Sequence, residues 1–393
     1  MPASSLRRLA GLVIAALALP VGASAIELRD EFRATIEQGV ANGRYQSVAI
    51  GLLDNGEQSQ WLFGAVEPDG AKPTADVAYE IGSTTRCFTG LLLAKALYAG
   101  KLRLDDTLGR IFADIRFADP KLAATTVGEI AAHRAGLPAV ASNLFPRSVD
   151  DPYVAFDAAA LDAYLAHAHP DGAGTYRYSE LGVALLGQIV ARTYRDDYRN
   201  LMASEVLVPL ALNESGFGNV PHLIDGFRDG KPAPHWQHQA FAPASGLRAS
   251  LSDLMRFAAA TLRPDKTPLR AAILLARQPR AAAGGGETAL AWQIVPVESD
   301  GQTWPLLWQA GITGGFASFI GLRTDKQRAV VLLGNAGVDL SALGLTLMAD
   351  RNAPPAPPKL VPMFAPASLA YPGLYRFDTG GDLTTEGLAK TVG

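Results

Sequence analysis

The pattern of apolar and polar positions divides the chain into strand-like ends and a helix-like middle. Residues 47–53 and 60–66 are predicted to be two strands, and Asp54-Asn55-Gly56 between them is typical of a hairpin turn. Residues 27–40, which precede the strands, have the apolar spacing of an amphipathic helix. Four later segments are rich in β-forming residues and separated by turn residues: 288–297, 304–309, 315–322 and 328–334. Both ends of the chain therefore contribute predicted strands.

Between these strands, residues from about 112 to 280 have mainly helical patterns interrupted by Pro- and Gly-rich loops, and a last helix is predicted at about 340–351. Early and late strands around a helical middle indicate one α/β unit with a large helical insert. We expect this domain to span residues 26–352. A Pro-rich linker at 353–362 and a short tail at 363–393 complete the predicted organisation.

The first 25 residues have the features of a secretory signal peptide. Arg7 and Arg8 precede an apolar run, which ends before the small-residue site Ala23-Ser24-Ala25. This run is too short to span a bilayer, and no later segment is long and apolar enough to do so. We therefore expect an exported protein, periplasmic or secreted, whose mature chain begins at Ile26.

Composition excludes several classes of function. The 393 residues are 48% hydrophobic and 19% charged, which is enough to bury a large core, and the net charge of -3 offers no basic surface for nucleic acid. Cys87 is the only cysteine, so an internal disulfide and a cysteine metal site are excluded. We expect Cys87 to be a small buried residue.

Two histidine pairs invite a metal-site interpretation. His167 and His169 precede Pro170, whereas His235 and His238 lie in a loop-like stretch. Neither pair has a carboxylate at ligand spacing. We therefore expect no metal and no cofactor.

Ser83 occupies a position that suits a nucleophile. The strand-like residues 77–81 run into Gly82, and an apolar segment with helical period follows. A serine at this turn has its hydroxyl near unpaired N–H groups, where the helix dipole favours negative charge. The alternative is that Ser83 only caps the helix. Because the chain has no Gly-x-Ser-x-Gly elbow, the α/β-hydrolase plan is unsupported.

Three segments, in order, resemble the motifs of the serine β-lactamase and penicillin-binding protein superfamily, especially its class C and esterase-like branch. Residues 83–86 stand at its Ser-x-x-Lys motif, 178–180 at Tyr-x-Asn and 312–314 at Lys/His-Thr-Gly. The resemblance covers roughly residues 63–335. It implies an antiparallel sheet flanked by helices, with the site at the seam between the sheet and the helical insert. Residues 371–377 resemble the opening of a small β-barrel that some relatives carry, so we interpret the tail as a truncated barrel.

The resemblance also implies roles for individual residues. Ser83 is the expected nucleophile and Tyr178 the expected general base, while the N–H groups of Ser83 and Gly315 are expected to form the oxyanion hole. Thr313 and Gly314 match the substrate-binding motif. Ile312 takes the place of that motif's cation, which should weaken the binding of anionic substrates such as penicillins.

The chain also differs from the superfamily pattern at one position in each of the first two motifs. Arg86 stands at the position of the family's lysine, but a guanidinium stays protonated and cannot act as a base. Tyr178 is then the best remaining base, since a phenol beside a fixed cation can have a lowered pKa. Glu180 stands at the asparagine position, and a carboxylate matches a guanidinium bidentately. We therefore predict a direct, largely buried ion pair between Arg86 and Glu180 beneath Ser83.

These observations leave two functions open. The first is acyl-enzyme hydrolysis through Ser83 of an ester, an amide, a β-lactam or a D-Ala-type peptide, with altered or weak β-lactamase activity. The second is a catalytically impaired protein that binds a peptidoglycan fragment or a protein partner without turnover. In either case we expect a small-molecule or peptidoglycan-derived ligand, no nucleic acid, no membrane span and a monomer.

Overall fold

The computed structural model describes residues 27–67, 70–145, 150–283, 286–290, 292–299 and 301–348. The predicted signal peptide, Pro-rich linker and C-terminal tail lie outside these residues, as does the end of the helix predicted at 340–351. No helix in the described part of the chain is long and apolar enough to cross a bilayer.

Twelve strands are described. They are β1 Ser47–Asp54, β2 Glu57–Gly64, β3 Ala78–Glu80, β4 Gly226–Arg228, β5 Lys231–Ala233, β6 Arg248–Ser250, β7 Ala281–Ala283, β8 Gly286–Thr288, β9 Gln293–Ser299, β10 Gln302–Ile312, β11 Ala317–Arg323 and β12 Arg328–Gly334.

Twelve α-helices are described. They are α1 Asp30–Ala41, α2 Thr85–Tyr98, α3 Leu108–Ile111, α4 Pro120–Ala124, α5 Val127–Ala131, α6 Ala158–His167, α7 Glu180–Tyr194, α8 Tyr198–Met202, α9 Ala242–Ser245, α10 Leu251–Leu262, α11 Arg270–Ala276 and α12 Ser341–Met348.

Eight strands form one antiparallel sheet in the order β2-β1-β12-β11-β10-β9-β8-β7. β1 and β12 are adjacent, with Val48 opposite Gly334, so the first and last of the described strands pair with each other. The predicted α/β fold with an antiparallel sheet is confirmed. The predicted strand at 288–297 is two strands, since β8 ends at Thr288 and β9 begins at Gln293, and between them Ala289 donates its N–H to the carbonyl of Trp292.

Helices cover both faces of the sheet. On one face, Phe32 of α1 and Leu345 of α12 share a core cluster with Ile50 of β1. On the other, Leu254 of α10 belongs to a larger cluster with Ala49 of β1, and this cluster continues into the helical middle of the chain. Successive residues of β1 therefore enter different cores, which explains why nearly all of the strand is buried.

The middle of the chain contains helices α3 to α11 and also short strands that the hydrophobic pattern did not separate. β4 and β5 form a small hairpin, and β6 pairs with β3 directly before the Ser83 segment. Three-residue strands have too few positions for a period of two to be recognised. The β3–β6 pair matters for function because it anchors the chain that enters the candidate site.

Candidate active site

Ser83 lies in a 3-10 turn, Gly82–Thr84, directly before α2. Gly82 has φ of +49°, a left-handed conformation that favours glycine, and this turn directs the chain from β3 into the helix. The helix has Thr84 at its N-cap position and makes no side-chain capping hydrogen bond there. The alternative interpretation of Ser83 as a helix cap is therefore wrong.

Side chains from distant segments fix this turn. Ser318 of β11 donates from Oγ to the carbonyl of Ile81 at 2.6 Å, and its hydroxyl lies 2.8 Å from Thr84 Oγ1. On the other side, Thr85 Oγ1 accepts the N–H of Leu247 at 3.1 Å. The turn is thereby held between the sheet and the segment that leads into β6.

The third motif approaches the turn through glycine. A Cβ on Gly311 of β10 would lie 2.5 Å from Ser83 N and would clash with the carbonyl oxygen of Ile81. No residue other than glycine allows β10 to come this close without a backbone shift. The structure thus places Ile312, Thr313 and Gly314 beside Ser83.

Arg86 joins the first two motifs. Its Nη2 donates to Ser83 Oγ at 2.8 Å, and its guanidinium carbon lies 4.5 Å from the centre of the Tyr178 ring. Arg86 is buried. Burial lowers its pKa from the ordinary value, an effect that the charge of Glu180 partly offsets. A guanidinium still retains its proton at any physiological pH.

Tyr178 is buried directly before α7. Its hydroxyl has no hydrogen-bond partner among the described residues, Ser83 included. Its ring packs against that of His133, with the ring centres 5.0 Å apart. Arg86 therefore links Ser83 and Tyr178, and the Tyr178 hydroxyl makes no hydrogen bond to another described residue.

The predicted ion pair between Arg86 and Glu180 is absent. No nitrogen of Arg86 lies within 4.0 Å of a Glu180 oxygen in the described structure, and Glu180 Oε2 instead accepts a hydrogen bond from the Tyr153 hydroxyl at 3.1 Å. The Arg86 guanidinium donates to Ser83 and stacks on the Tyr178 ring, so its N–H groups do not pair with the Glu180 carboxylate. Burial raises the pKa of Glu180, while the nearby positive charge of Arg86 opposes this shift.

The third motif ends β10. Ile312 is half-buried, whereas Thr313 is buried and donates its N–H to the carbonyl of Phe316 at 2.9 Å. The Thr313 hydroxyl interacts with the buried Glu80 carboxylate, whose pKa it helps to lower. Gly315 packs tightly against Gly226, since a Cβ on Gly315 would approach the Gly226 backbone to 2.7 Å. An extended segment at the site thus presents no cation.

His133 is a site residue that sequence reasoning missed. It adopts φ of +55° after α5, and its Nδ1 accepts the N–H of Ser179 at 3.2 Å, next to Tyr178. Burial, together with the positive charge of Arg86, lowers its pKa to about 3. The histidine is therefore neutral near pH 7 and holds the segment that carries Tyr178. The sequence signal for His133 is its place in segment 126–138, which resembles a helical segment of the same superfamily and carries none of its three motifs.

Glu80 is the second residue that was missed. Its Oε1 accepts from His235 Nδ1 at 3.1 Å, from the Trp236 N–H at 3.0 Å and from Arg248 Nη2 at 3.0 Å. Burial alone would raise its pKa, but the His235 hydrogen bond and the charges of His238 and Arg248 lower it overall. Glu80 therefore ties the entry into the Ser83 turn to the segment that carries His235.

The histidine pairs occupy unrelated positions. His169 lies on Asp119, with Nδ1 3.0 Å from Oδ2, and His238 stacks on Tyr153 with ring centres 5.4 Å apart. Among the residues that the structure describes, no group of three or more His, Cys, Asp or Glu side chains is placed to hold a metal ion. Cys87 is buried in α2 next to Arg86.

The 3-10 turn holds Ser83, and the buried, positively charged Arg86 donates a hydrogen bond to its hydroxyl oxygen. A positive charge at hydrogen-bond distance stabilises a developing alkoxide. The Tyr178 ring lies under the same cation, and a phenol, unlike a guanidinium, can exchange a proton. This arrangement is suited to nucleophilic acyl transfer.

Comparison with known proteins gives a consistent result. A family model described as "Beta-lactamase" matches residues 32–352. A β-lactamase of Pseudomonas fluorescens is 25% identical over 350 residues, covering 79% of this chain and 94% of that protein. Penicillin-binding protein 4 of Amycolatopsis lactamdurans is 26% identical over 349 residues, covering 79% and 89%.

A solved structure supports the fold. The class C β-lactamase of Rhodobacter sphaeroides superposes with a TM-score of 0.69 at 20% identity, covering 79% of this chain and 95% of the other. Since the family model spans most of the sequence, the chain belongs to the β-lactamase family.

Proposed function

We propose that this protein is a serine hydrolase that forms an acyl-enzyme on Ser83. The observation that carries the proposal is the 2.8 Å hydrogen bond from Arg86 Nη2 to Ser83 Oγ, with the guanidinium also lying over Tyr178. The relatives named β-lactamase and penicillin-binding protein support acyl-transfer chemistry at this site.

In the proposed reaction, Ser83 Oγ forms a bond to the acyl carbon while its proton passes to the ionised Tyr178 hydroxyl. Tyr178 then gives this proton to the leaving alcohol or amine as its bond to the acyl carbon breaks. In the second half, Tyr178 takes a proton from a water molecule as the water oxygen bonds to the acyl carbon. Tyr178 gives this proton to Ser83 Oγ as the bond between Oγ and the acyl carbon breaks, which releases the carboxylic acid and leaves the tyrosine ionised again. Arg86 keeps its proton throughout and stabilises negative charge on both oxygens.

Substrate preference follows from the third motif. Ile312 offers no cation for a substrate carboxylate, and the Thr313 hydroxyl interacts with the negatively charged Glu80 carboxylate. We propose that neutral esters or amides are better substrates than β-lactams with a carboxylate, and that β-lactamase activity is weak. Glu180 adds to this weakness, because its nearby negative charge reduces the help that Arg86 gives to ionisation of Tyr178.

The test compares hydrolysis of p-nitrophenyl butyrate and of nitrocefin by the wild type, Ser83→Ala and Ile312→Lys. We expect ester hydrolysis that Ser83→Ala abolishes, and a nitrocefin rate that rises about tenfold in Ile312→Lys, since a well-placed cation strengthens carboxylate binding by about 1–2 kcal/mol. Ester hydrolysis that persists in Ser83→Ala would contradict the proposal.

A second candidate is a binding protein without turnover, which the loss of the family's lysine at Arg86 favours. In this case a soluble peptidoglycan fragment should bind to the wild type and to Ser83→Ala with equal affinity in calorimetry, and no product should form. Product formation by the wild type, lost in Ser83→Ala, excludes it.

We also propose that the protein is exported after cleavage behind Ala25, on the basis of the apolar run and the Ala23-Ser24-Ala25 site. N-terminal sequencing of protein recovered from the periplasm or the medium should give Ile26 as the first residue. Recovery of an uncleaved chain that begins at Met1 would contradict this expectation.

A further inference from the structure

A small cavity borders Arg86. It has a volume of about 30 Å³, and Arg86, His133, Thr288, Gln293 and Gln309 are among the residues that line it. A cavity needs roughly 10–15 Å³ to admit a water molecule, so this one has room for one or two waters or for one halide ion. Its size excludes larger organic groups.

The residues that line the cavity carry positive charge and no negative charge. Arg86 is the only charged group among its lining residues, none of which is an aspartate or a glutamate. His133 adds no positive charge near pH 7, since its pKa is lowered to about 3 by burial and by Arg86. Glu180 faces Tyr153 and does not pair with Arg86 within the described structure. A small anion in the cavity would therefore meet one cation and no carboxylate.

Three residues that line this cavity carry unpartnered polar atoms. Nε and Nη1 of Arg86, Oγ1 of Thr288 and Oε1 of Gln293 are buried and have no hydrogen-bond partner among the described residues. The three residues are at most 6% exposed. A buried polar group without a partner costs about 1–3 kcal/mol, and more for a charged group, so several such atoms around one cavity point to a bound species.

Gln293 can also contribute a donor. Its Nε2 lies 3.5 Å from Gln309 Oε1 across the cavity wall. Rotating both side-chain amides by 180° keeps a hydrogen bond between them and puts an N–H group in place of the unpartnered Gln293 oxygen. The cavity then offers donors from Arg86, Thr288 and Gln293, which suits an anion better than water.

We propose that this cavity binds a monovalent inorganic anion of halide size, with chloride as its ligand in the exported protein. The anion receives hydrogen bonds from Arg86 Nε and Nη1, Thr288 Oγ1 and Gln293. The anion gives Arg86 the directly bonded negative charge that Glu180 does not provide. The site does not depend on acyl transfer at Ser83, because its ligand and its test involve no substrate.

The test uses bromide as the probe. Crystals soaked in sodium bromide should show an anomalous peak within hydrogen-bond distance of Arg86 Nε or Nη1. In solution, the thermal midpoint of the wild type should rise saturably with sodium bromide, compared with sodium gluconate at equal ionic strength. Removing one hydrogen bond to a charged group should weaken bromide binding by about tenfold, so Gln293→Leu and Thr288→Val should each shift the saturation to higher concentration.

Controls separate this site from general salt effects. Arg103→Met removes an exposed arginine and should keep the bromide response of the wild type. Arg86→Met should abolish the response. Absence of an anomalous peak in the cavity, or an identical bromide response in the wild type, Gln293→Leu and Thr288→Val, would overturn the proposal even if Arg86→Met fails to fold.

Discussion

The Arg86 guanidinium carbon lies 4.5 Å from the centre of the Tyr178 ring, and both side chains are buried. A cation held over an aromatic face is worth about 0.5–2 kcal/mol, so this contact fixes the guanidinium as well as placing its charge. The same group donates to Ser83 Oγ. Arg86 therefore positions the nucleophile and the tyrosine relative to each other but cannot exchange a proton with either.

Restoring the family's residues should restore proton transfer. We expect Arg86→Lys combined with Glu180→Asn to raise the rate of fluorophosphonate labelling by about tenfold or more, since a lysine able to lose its proton can act as a base. Arg86→Lys alone should gain less, because the nearby Glu180 favours the protonated lysine. Labelling rates of the three proteins check this, and a double variant no faster than the wild type contradicts it.

Gly311 should tolerate no side chain. In Gly311→Ala the new methyl group would lie 2.5 Å from Ser83 N, so β10 or the Ser83 turn must move. We expect a loss of about 1–3 kcal/mol in the free energy of unfolding and a large decrease in Ser83 labelling.

The matched control is Gly334→Ala in β12, where the nearest atom would be 3.3 Å away and a smaller effect is expected. Both variants are compared by urea denaturation. Equal losses in the two variants would show that the close approach of β10 is unimportant.

His133 should make the folded protein less stable at acidic pH. Its pKa is lowered to about 3 in the folded chain, against about 6.5 when unfolded. Between pH 6.5 and pH 3, His133 is protonated in the unfolded state but not in the folded state. The free energy of unfolding is therefore unaffected by this group above pH 6.5 and decreases as pH falls from 6.5 towards 3. The slope is at most about 1.4 kcal/mol per pH unit for one group.

Urea midpoints measured between pH 7 and pH 4 test this expectation. His133→Asn should show a smaller loss in this range, since asparagine tolerates the left-handed backbone and can accept the Ser179 N–H. The exposed His169→Asn should behave like the wild type. A profile for His133→Asn that matches the wild type would contradict the assignment.

The sequence predicted the sheet because strand periodicity and turn residues are local properties. It also predicted that residues 83–86, 178–180 and 312–314 belong to one site, through their resemblance to family motifs. It failed for the ion pair, because the direction of a buried side chain depends on distant partners. Tyr153, which is far from Glu180 in sequence, donates a hydrogen bond to the Glu180 carboxylate. Arg86 instead donates to Ser83 and stacks on Tyr178.

Glu80 and His133 were missed for a related reason. Each acts through contacts with residues remote in sequence, as Glu80 does with His235 and Arg248, and neither has a spacing that signals this role. The short strands β4 and β5 escaped recognition because three residues carry no measurable period.

The most direct test of the account is intact-mass analysis after fluorophosphonate treatment. The wild type should gain a single adduct that peptide mapping places on Ser83. Ser59→Ala, which removes a serine on the edge strand β2, should label like the wild type, and Ser83→Ala should remain unlabelled. Undiminished labelling of Ser83→Ala, or a folded wild type that no fluorophosphonate or β-lactam labels, would contradict the assignment of Ser83 as the nucleophile of a serine hydrolase.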